Sequence, residues 1–347
     1  MEQYALEPVK VACPVCRSLE GLRLYSVDSE QASQHFVLRE VSPDRHRLLR
    51  EHIEVLWGKA ICDIVRCAGC KFCFANPFVA GDARFYSLAY ERTGYPPWKW
   101  EYQRTRQALL ELNGRQSLRP ARLLEVGAGN GAFIRQVTPD LIRKDHVLCT
   151  EFSDFGRNAI ANLGVQCVPQ DVRELSADGD GRFDFICMFQ VLEHLDRLDD
   201  LFDHLSSLAT DAAHLFVAVP NGGRIEFNEL NGSLLDLPPN HVGRWNRQSF
   251  EVMAHRHGWQ VVEHEVQPEG PTAKVKRFAF YRYGNKSQSP NTLANRIEQV
   301  PPKLLRRPLQ ALAVGWYLLG AVPPLISLLR NPELGEAQWA HMVKSPA

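Results

Sequence analysis

The sequence predicts an α/β fold whose central unit is a doubly wound, Rossmann-like parallel sheet. Between residues 121 and 270, short apolar runs typical of buried strands alternate with amphipathic segments of helical spacing. A glycine-rich stretch, Leu123–Gly131 (LLEVGAGNG), joins the first of these runs to a helix. In sheets of this kind the ligand site lies at the carboxyl ends of the strands.

The individual elements follow one another in a regular order. The predicted strands are Arg122–Val126, Val147–Glu151, Val165–Val168, Phe183–Phe189, His214–Val219 and a strand beginning at Gln260–Glu265. The predicted helices begin near Gly131 and cover Phe155–Leu163, Leu198–Ala209 and Ser249–His257, the last closed by Gly258. The basic, aromatic segment Lys274–Lys286 (KVKRFAFYRYGNK) is predicted as a further strand.

Composition and charge restrict the kind of protein. The chain has 347 residues, which suggests two domains or one large domain with additions. Lys and Arg number 40, as do Asp and Glu, and this balance counts against a nucleic-acid binder. Met1–Lys10 is not signal-like, and nine cysteines then indicate a reducing, cytoplasmic location in which CxxC pairs are typical metal ligands.

Four regions can be drawn. We predict a zinc-ribbon-like segment at 1–80, an aromatic and basic helical lid or linker at 81–120, a core at 121–270, and C-terminal strands with an apolar helical segment at 271–347. The aromatic residues of the lid region are Tyr86, Tyr90, Tyr95, Trp98, Trp100 and Tyr102. They could stack a planar or sugar substrate, or simply pack on the core.

An uncharged segment, Pro308–Leu329, is flanked by Arg306, Arg307 and Arg330. We predict buried helices or a helical hairpin here. Peripheral contact with a membrane surface and a true membrane span are the alternatives, although Pro323 would break a spanning helix. Membrane association is therefore a possible addition to the cytoplasmic location.

The glycine loop by itself fits two kinds of ligand site. Gly127-x-Gly129-x-x-Ala132 also matches the dinucleotide fingerprint of dehydrogenases. Glu125, however, precedes the glycines, where a carboxylate suits the ammonium of a methionine-type ligand and would repel a pyrophosphate. An acidic segment, Gln170–Val172 (QDV), follows the third predicted strand, and Phe189–His194 (FQVLEH) follows the fourth. Together these features favour a methionine-type ligand.

This combination resembles class I S-adenosylmethionine (SAM)-dependent methyltransferases over roughly residues 120–265. The resemblance implies a seven-stranded methyltransferase sheet with SAM as cofactor. In it, Glu151 would bind the ribose hydroxyls, Asp171 the adenine edge, and Gln190 would line the pocket near the sulfonium. The residues assigned to SAM are Glu125, Gly127, Ala128, Gly129 and Gly131 on the loop, Glu151 and Phe152 after the second strand, Asp171 and Val172 after the third, and Gln190 after the fourth.

Two CxxC pairs, Cys13–Cys16 and Cys67–Cys70, are separated by 50 residues, more than a compact ribbon needs. Each pair can form a knuckle whose thiolates meet on one tetrahedral Zn²⁺. The segment Cys67–Pro77 is similar to the ribbon of some small methyltransferases, although it has Lys71 where Gly is usual and an extra Cys73. We predict one structural, non-catalytic zinc site formed by Cys13, Cys16, Cys67 and Cys70. Reduced cysteines without a metal, or a site that includes Cys73, are the alternatives.

Two histidines are candidate catalytic bases. His194 follows the fourth strand, where it could equally be structural, and His241 lies in a long loop after the fifth strand. Quinone O-methyltransferases, which the chain also resembles, carry metal-binding acidic residues and a histidine at this turn. Glu193 and His194 match them, but Gln190 replaces an acid, which counts against a catalytic Mg²⁺.

The favoured function is SAM-dependent methyl transfer to an oxygen of a small molecule, sugar or lipid-linked acceptor by in-line displacement. Resemblance to ribbon-bearing, quinone- and sugar-type relatives makes oxygen the expected acceptor atom. A protein or nucleic-acid methyltransferase that uses the ribbon for recognition is an alternative. Against it stand the balanced charge and the lack of an Asn/Asp-Pro-Pro-Tyr/Phe motif after the fourth strand. A non-catalytic scaffold is disfavoured by the intact loop.

Overall fold

A computed structural model describes residues 6–90, 96–114, 120–178, 181–231, 236–301 and 303–345. For Lys303 and Leu304 it describes the backbone alone. Tyr95, grouped above with the aromatic residues of the predicted lid, lies outside the described residues.

The strands of the described residues fall into two sheets. They are β1 (Glu7–Lys10), β2 (Glu20–Asp28), β3 (Ile61–Cys67), β4 (Cys73–Asn76), β5 (Leu123–Val126), β6 (Val147–Thr150), β7 (Gln166–Val168), β8 (Phe183–Phe189), β9 (Ala209–Pro220), β10 (Gly243–Arg244), β11 (Trp259–Val266) and β12 (Ala337–Lys344).

The α-helices lie between these strands. They are α1 (Ser29–Phe36), α2 (Pro43–Trp57), α3 (Ala83–Ala89), α4 (Trp100–Asn113), α5 (Ile134–Val137), α6 (Asp154–Ala161), α7 (Leu198–Leu208), α8 (Gly222–Leu230), α9 (Arg247–Arg256), α10 (Pro271–Gln288), α11 (Leu293–Glu298), α12 (Lys303–Leu319) and α13 (Val322–Arg330). Short 3₁₀ turns occur at Lys144–His146, Val172–Glu174 and Leu192–His194.

The larger sheet has seven strands in the order β11-β12-β9-β8-β5-β6-β7. Strands β7, β6, β5, β8 and β9 are parallel, whereas β12 runs antiparallel between β9 and β11. An α-helix lies between successive parallel strands except between β7 and β8, where the described residues form the 3₁₀ turn Val172–Glu174. This arrangement confirms the predicted α/β fold. All six strands predicted between 121 and 270 are present, with ends shifted by a few residues.

The seventh strand comes from the far end of the chain. β12 lies in the region that the sequence prediction separated from the core, yet it pairs with β9 along Ala337–Val343. Its Trp339 side chain is fully buried and stacks on Phe216 of β9 at a centroid distance of 5.9 Å. Helices α10 to α13 therefore form an insertion between the last two strands of one sheet.

The strand predicted at Lys274–Lys286 is wrong, because these residues belong to helix α10. The aromatic and branched residues favour a strand locally. The buried positions, however, are Lys274, Phe278, Ala279 and Tyr283, a spacing that places them on one side of a helix. Packing against the other inserted helices thus overrides local propensity.

The segment Pro308–Leu329 is helical, as predicted, but the expectation of buried helices is wrong for one of its sides. Leu312 and Leu319 are each 73% exposed, whereas Ala313 and Leu328 are buried. In the described part of the chain no single helix is both long and apolar enough to cross a membrane. Leu305–Leu319 and Val322–Arg330 meet the length and composition test only as a pair, and an 84° bend separates them.

The smaller sheet has the order β1-β2-β3-β4-β10 and is built mainly from the N-terminal region. Helices α1 and α2 are inserted between β2 and β3, which accounts for the wide gap between the two CxxC pairs. β10 follows the loop that contains His241, and it pairs with β4 through Gly243 and Phe74. Cys13, Phe72 and Trp245 share one hydrophobic core with residues of the larger sheet.

We predict that Trp339→Ala destabilises the whole protein. Its ring is buried, and its indole N–H donates to Thr105 Oγ1 at 2.8 Å, so removal leaves a cavity and an unpaired hydroxyl. The expected loss is about 3–5 kcal/mol in the free energy of unfolding measured with urea. Trp98→Ala is the matched control, because Trp98 is 55% exposed and its loss should cost less than about 1 kcal/mol. Similar losses for the two variants would contradict the central place of β12.

Candidate functional site

The glycine loop leaves β5 and folds back against the turn that follows β8. Gly127, Gly129 and Gly131 have φ values of +67°, +56° and +73°, a left-handed region in which other residues are strained. A Cβ atom on Gly127 would lie 2.7 Å from Cγ2 of Val191. The backbone conformation and the close approach both require glycine here, and the contact brings the loop next to the Leu192–His194 turn.

The carboxylate of Glu151 closes the glycine loop from the neighbouring strand β6. Its two oxygens accept hydrogen bonds from the backbone N–H of Gly129 (2.9 Å) and of Ser153 (2.8 Å). Phe152, the next residue, is 71% exposed and leaves a free aromatic face beside this carboxylate. Ala128 is buried, and its N–H donates to the carbonyl of Thr150 at 3.0 Å. These predicted SAM residues therefore lie together.

Glu125 is buried at the end of β5, just before the glycines. Burial is the main cause that raises the pKa of this carboxyl group to about 8. Within the described residues its Oε2 atom has no hydrogen-bond partner. An orphaned acceptor in this position fits the ammonium group of a methionine-type ligand, which would supply the missing donor.

Asp171 is placed as predicted after β7, but its side chain has a partner. Both of its oxygens accept hydrogen bonds from the guanidinium of Arg173, at 2.8 and 2.7 Å. Burial opposes ionisation of Asp171, but the bonds from Arg173 outweigh it and lower the pKa of the carboxyl group. Val172 beside it is buried. Arg173 was missed by sequence reasoning, although its position two residues after the acid was visible.

Gln190 is held in a left-handed conformation, with φ of +60°, at the end of β8. Its Nε2 atom donates to Oε1 of Glu101 at 3.0 Å. Glu101 is a buried carboxylate in the first turn of α4, and sequence reasoning missed it. Its only sequence signal was an acidic residue within the aromatic segment. The position that carries an acid in quinone-type methyltransferases is thus an amide already bonded to a carboxylate.

His194 and His241 lie face to edge, with ring centroids 4.7 Å apart. His194 Nδ1 is 2.7 Å from the carbonyl oxygen of Asn240, and His241 Nδ1 is 2.9 Å from Oδ1 of Asp236. Both partners are acceptors, so each Nδ1 carries a proton and donates. In the neutral rings the lone pair is therefore on Nε2. His194 Nε2 lies 3.7 Å from Oε1 of Glu193, whose Oε2 has no partner within the described residues.

The pKa values of these buried groups are strongly shifted from their usual values. Burial raises the pKa of Glu193 to about 7, and burial together with the charge of His241 lowers the pKa of His194 to about 3. Burial alone would lower the pKa of His241, but the hydrogen bond and charge of Asp236 outweigh it and raise the pKa. Opposed shifts on neighbouring buried groups are typical of acid–base sites. Of the two histidines, His241 is the stronger base.

The loop that contains Asp236 is fixed by a buried ion pair to the N-terminal sheet. Arg244 donates to the backbone carbonyl of Asp236 at 2.9 Å and to the carboxylate of Glu229 at 2.7 Å. It also donates to the hydroxyl of Tyr25 on β2 at 2.9 Å, and Tyr25 donates to Glu229 at 2.5 Å. Sequence reasoning missed Asp236 and this triad, because Tyr25, Glu229 and Arg244 are far apart in the chain.

Two further contacts join the histidine cluster to its surroundings. The backbone N–H of Val242 donates to the carbonyl of Glu193 at 2.9 Å, which joins the loop to the turn after β8. The Tyr86 hydroxyl on α3 lies 3.3 Å from His194 Nδ1. The region predicted as a lid therefore contacts the site through Tyr86.

Two groups of side chains in the described residues have metal-ligand spacing, with ligand atoms that all lie within 4.8 Å of one another. One group is Glu193, His194 and His241, and the other comprises the four predicted cysteines. Gln190, at the position where the resemblance to quinone O-methyltransferases implies an acid, donates to Glu101 and is not a member of the first group. That group is better suited to acid–base chemistry.

The four cysteines come from two matching knuckles. Cys13 Sγ lies 3.6 Å from Cys70 Sγ, and Cys16 Sγ lies 3.3 Å from Cys67 Sγ. Four thiolates around one Zn²⁺ at about 2.3 Å would be about 3.8 Å apart, so the cluster fits a tetrahedral ion after small adjustments. Arg17 and Lys71 occupy the same place in their knuckles and have φ values of +66° and +62°. Lys71 thus adopts the conformation for which glycine is usual.

Comparison with known proteins gives a match to one sequence family. Residues 98–264 match the sequence model of a family described as a methyltransferase domain, a match that covers just under half of the chain. No curated protein matches the sequence.

Solved structures similar to this chain include a SAM-dependent methyltransferase from Archaeoglobus fulgidus, with 14% identity, coverage of 70% of this chain and 94% of that chain, and a TM-score of 0.43. The cyclopropane synthase MmaA2 from Mycobacterium tuberculosis has 14% identity, coverage of 69% and 83%, and a TM-score of 0.43. Magnesium protoporphyrin IX methyltransferase (ChlM) from Synechocystis PCC 6803 has 11% identity, coverage of 73% and 90%, and a TM-score of 0.42.

The domain match and the glycine loop support a SAM-dependent methyltransferase of class I as the class of this protein. The mixed seven-stranded sheet is the fold of that class. The residues present also fit the cofactor, since the loop is open to close approach and Glu125 has an unpaired buried oxygen.

We predict that Gly127→Ala weakens SAM binding at least tenfold. The added methyl group meets Val191 at 2.7 Å and strains a backbone with φ of +67°, so the loop must move. Gly58→Ala is the matched control, because its φ is +65° but no atom lies within 4 Å of the added Cβ. Calorimetric titration with SAM measures both variants. Unchanged affinity for Gly127→Ala, with a folded protein, would show that the loop does not hold the cofactor.

Proposed function

We propose that this protein transfers a methyl group from SAM to an oxygen atom of a small-molecule, sugar or lipid-linked acceptor. The observation that supports this proposal is the Asp236–His241 pair, which lies beside Glu193 and His194 at the carboxyl end of β8. The glycine loop touches the same turn through Val191. A base and a cofactor loop on one turn suit an in-line displacement assisted by proton removal.

The presence of a histidine base beside the cofactor loop favours oxygen as the acceptor atom. A hydroxyl group must lose a proton to become a good nucleophile, whereas a neutral amine or a thiolate already offers a lone pair. A histidine fixed by a carboxylate is the arrangement that removes such a proton near neutral pH. Glu193 alone could bind a positively charged acceptor through its carboxylate. Such an acceptor would leave the Asp236–His241 pair without a role in the reaction.

His241 is the proposed catalytic base. Its Nδ1–H is bonded to Asp236, so its Nε2 lone pair can accept the proton, and Asp236 stabilises the imidazolium that results. His194 is less suited, because its pKa is lowered to about 3. We assign His194 to contact with the acceptor, with its ring oriented by the Asn240 carbonyl.

The cofactor would be held by residues at the ends of four strands, β5, β6, β7 and β8. Glu125, Gly127, Ala128, Gly129 and Gly131 would hold its methionine part, and Gln190 would lie near the sulfonium that supplies the methyl group. Glu151 would accept from the ribose hydroxyls, and Phe152 would cover the adenine. Asp171 would have to share its carboxylate between the adenine amine and Arg173, which already donates to both oxygens.

We predict that His241→Ala lowers kcat by roughly 10²- to 10⁴-fold, as expected for the loss of a general base. The measurement is the formation of S-adenosylhomocysteine with a panel of phenolic, sugar and lipid-linked hydroxyl acceptors. His255→Ala is the matched control, because His255 is an exposed histidine on α9. Full turnover by His241→Ala, or transfer to amine acceptors alone, would refute the proposal.

The pH profile gives an independent test of the pair. His241 works as a base in its neutral form, so the rate should rise with pH through a pKa above the usual histidine value. Asp236→Asn removes the charge that favours the imidazolium, and the pKa of His241 should fall. The inflection therefore moves to lower pH, and the maximal rate decreases. An inflection that stays in place in Asp236→Asn would exclude His241 as the titrating base.

We also propose that Cys13, Cys16, Cys67 and Cys70 hold one structural Zn²⁺. The sulfur spacing supports this, and four thiolates would leave no open position for water. The knuckles belong to the core that contains Trp245, and Asn246 Nδ2 donates to the Cys70 carbonyl at 3.4 Å. Zinc would thus stabilise the N-terminal sheet against the strand that follows the His241 loop.

We expect one zinc ion per chain by elemental mass spectrometry. Cys70→Ser should lose the zinc and lower the melting temperature, whereas Cys73→Ser should retain the zinc, because Cys73 is not among the four clustered thiols. A zinc-free wild-type protein purified without chelators, or loss of zinc from Cys73→Ser, would contradict this assignment.

A further inference from the structure

Helices α12 and α13 expose a continuous row of large apolar side chains. On α12 the row consists of Leu305, Leu309, Leu312, Trp316 and Leu319, spaced alternately by four and three residues. This spacing places them on one face of the helix. On α13 the row continues with Val322, Ile326 and Leu329. Trp316 is 69% exposed, although a side chain of this kind is normally buried.

Other positions of the same helices pack on the protein. Ala313 is buried against Tyr283 and Ile297, and Ala321 and Leu328 are buried against Phe278. The exposed row is therefore additional to the apolar contacts that hold the helices in place. Within the described residues no part of the chain covers it.

The charge around this row is of one sign. The sequence has no Asp or Glu between Glu298 and Glu333, while it has Lys303, Arg306, Arg307 and Arg330 there. Arg306 is paired with Glu298 at 3.3 Å. Arg307 and Arg330 are exposed near the outer ends of the two helices. The segment that carries the apolar row thus has exposed cations near its two ends, Arg307 and Arg330, and no acidic residue between positions 299 and 332.

We propose that α12 and α13 dock this protein onto the surface of an anionic phospholipid membrane. The apolar row would enter the boundary between headgroups and acyl chains, and the arginines would meet lipid phosphates. Trp316 is a typical residue at that boundary. Neither helix alone is long enough to cross a bilayer, and two helices that meet at 84° can both lie along the surface.

A second copy of the chain fits this face less well. The four-and-three spacing would suit a paired helix, but in a twofold interface this segment, with its arginines, would meet an identical one. No acidic residue lies in the segment to compensate those charges. An anionic lipid surface provides the complementary negative charge. The charge therefore favours a membrane surface over a second copy of the chain.

The docking helices belong to an insertion that contacts α8 through α10. Arg282 of α10 donates to the carbonyl of Asn231 at 3.0 Å, and Phe278 packs on Phe227 of α8 at a centroid distance of 6.0 Å. The insertion is thus attached to the helix that leads into the loop with Asp236 and His241.

The test is sedimentation of the full-length protein with vesicles of phosphatidylcholine alone or with one third phosphatidylglycerol. We expect binding to the anionic vesicles that weakens as salt is added. The double variant Leu312→Glu/Trp316→Glu should lose at least tenfold in vesicle affinity. Arg307→Gln/Arg330→Gln should lose roughly tenfold or more on anionic vesicles. Val55→Glu, which changes a 75% exposed residue on α2, should bind as the wild type does.

Calorimetry with SAM shows whether each variant is folded. The proposal is overturned if the wild type stays in the supernatant with anionic vesicles, or if folded Leu312→Glu/Trp316→Glu binds them as the wild type does. A wild-type dimer by sedimentation velocity that dissociates in this variant, without vesicle binding, would assign the face to a second copy instead. A failure of His241→Ala to reduce turnover would leave the docking result unaffected.

Discussion

The site depends on the parallel pairing of β5 with β8 in the centre of the sheet. Leu123 to Val126 pair in register with Phe185 to Met188, so both strands end at the same level. Because of this register, the glycine loop after β5 and the turn after β8 leave the sheet side by side, and Gly127 touches Val191. A shift of one residue would turn Glu125 to the other face and separate the two. Every proposed role in the cofactor and acceptor sites rests on that alignment.

Much of the fold could be predicted from the sequence, because the patterns that indicate most of its strands and helices lie within short stretches of the chain. Buried parallel strands read as continuous apolar runs, and a glycine loop after the first of them indicates a ligand-binding α/β sheet. Two features of the fold depend on contacts between separate parts of the chain. Helix α10 contains strand-favouring aromatics whose helical state depends on packing against α11 to α13. β12 is separated from its partner β9 by more than a hundred residues, and no short-range pattern indicates that pairing.

The same distinction applies to the candidate site: its motifs could be recognised in the sequence, whereas the contacts between its side chains could not. The residues predicted to bind SAM lie in short motifs, as do the two cysteine pairs. The structure brings the glycine loop next to Glu151 and the turn after β8, and it brings the four cysteines together. The partners that set their chemistry lie outside these motifs. Glu101 is far from Gln190 in the chain, whereas Arg173 lies two residues from Asp171 and Asp236 five residues from His241. Closeness in sequence alone does not show that such side chains are bonded. Which nitrogen of a histidine carries the proton depends on such partners. The sequence could therefore name His241 and His194 as candidates, but the partners that fix the proton on each ring are visible only in the structure.

The central claim is that the glycine loop and His241 serve one reaction centre. The most direct measurement is a crystal structure of the protein with S-adenosylhomocysteine. We expect the amino group of the ligand near the free oxygen of Glu125, and its sulfur facing the space bounded by Glu193, His194 and Nε2 of His241. A ligand bound elsewhere, or one whose sulfur is separated from His241 by packed protein, would contradict the claim.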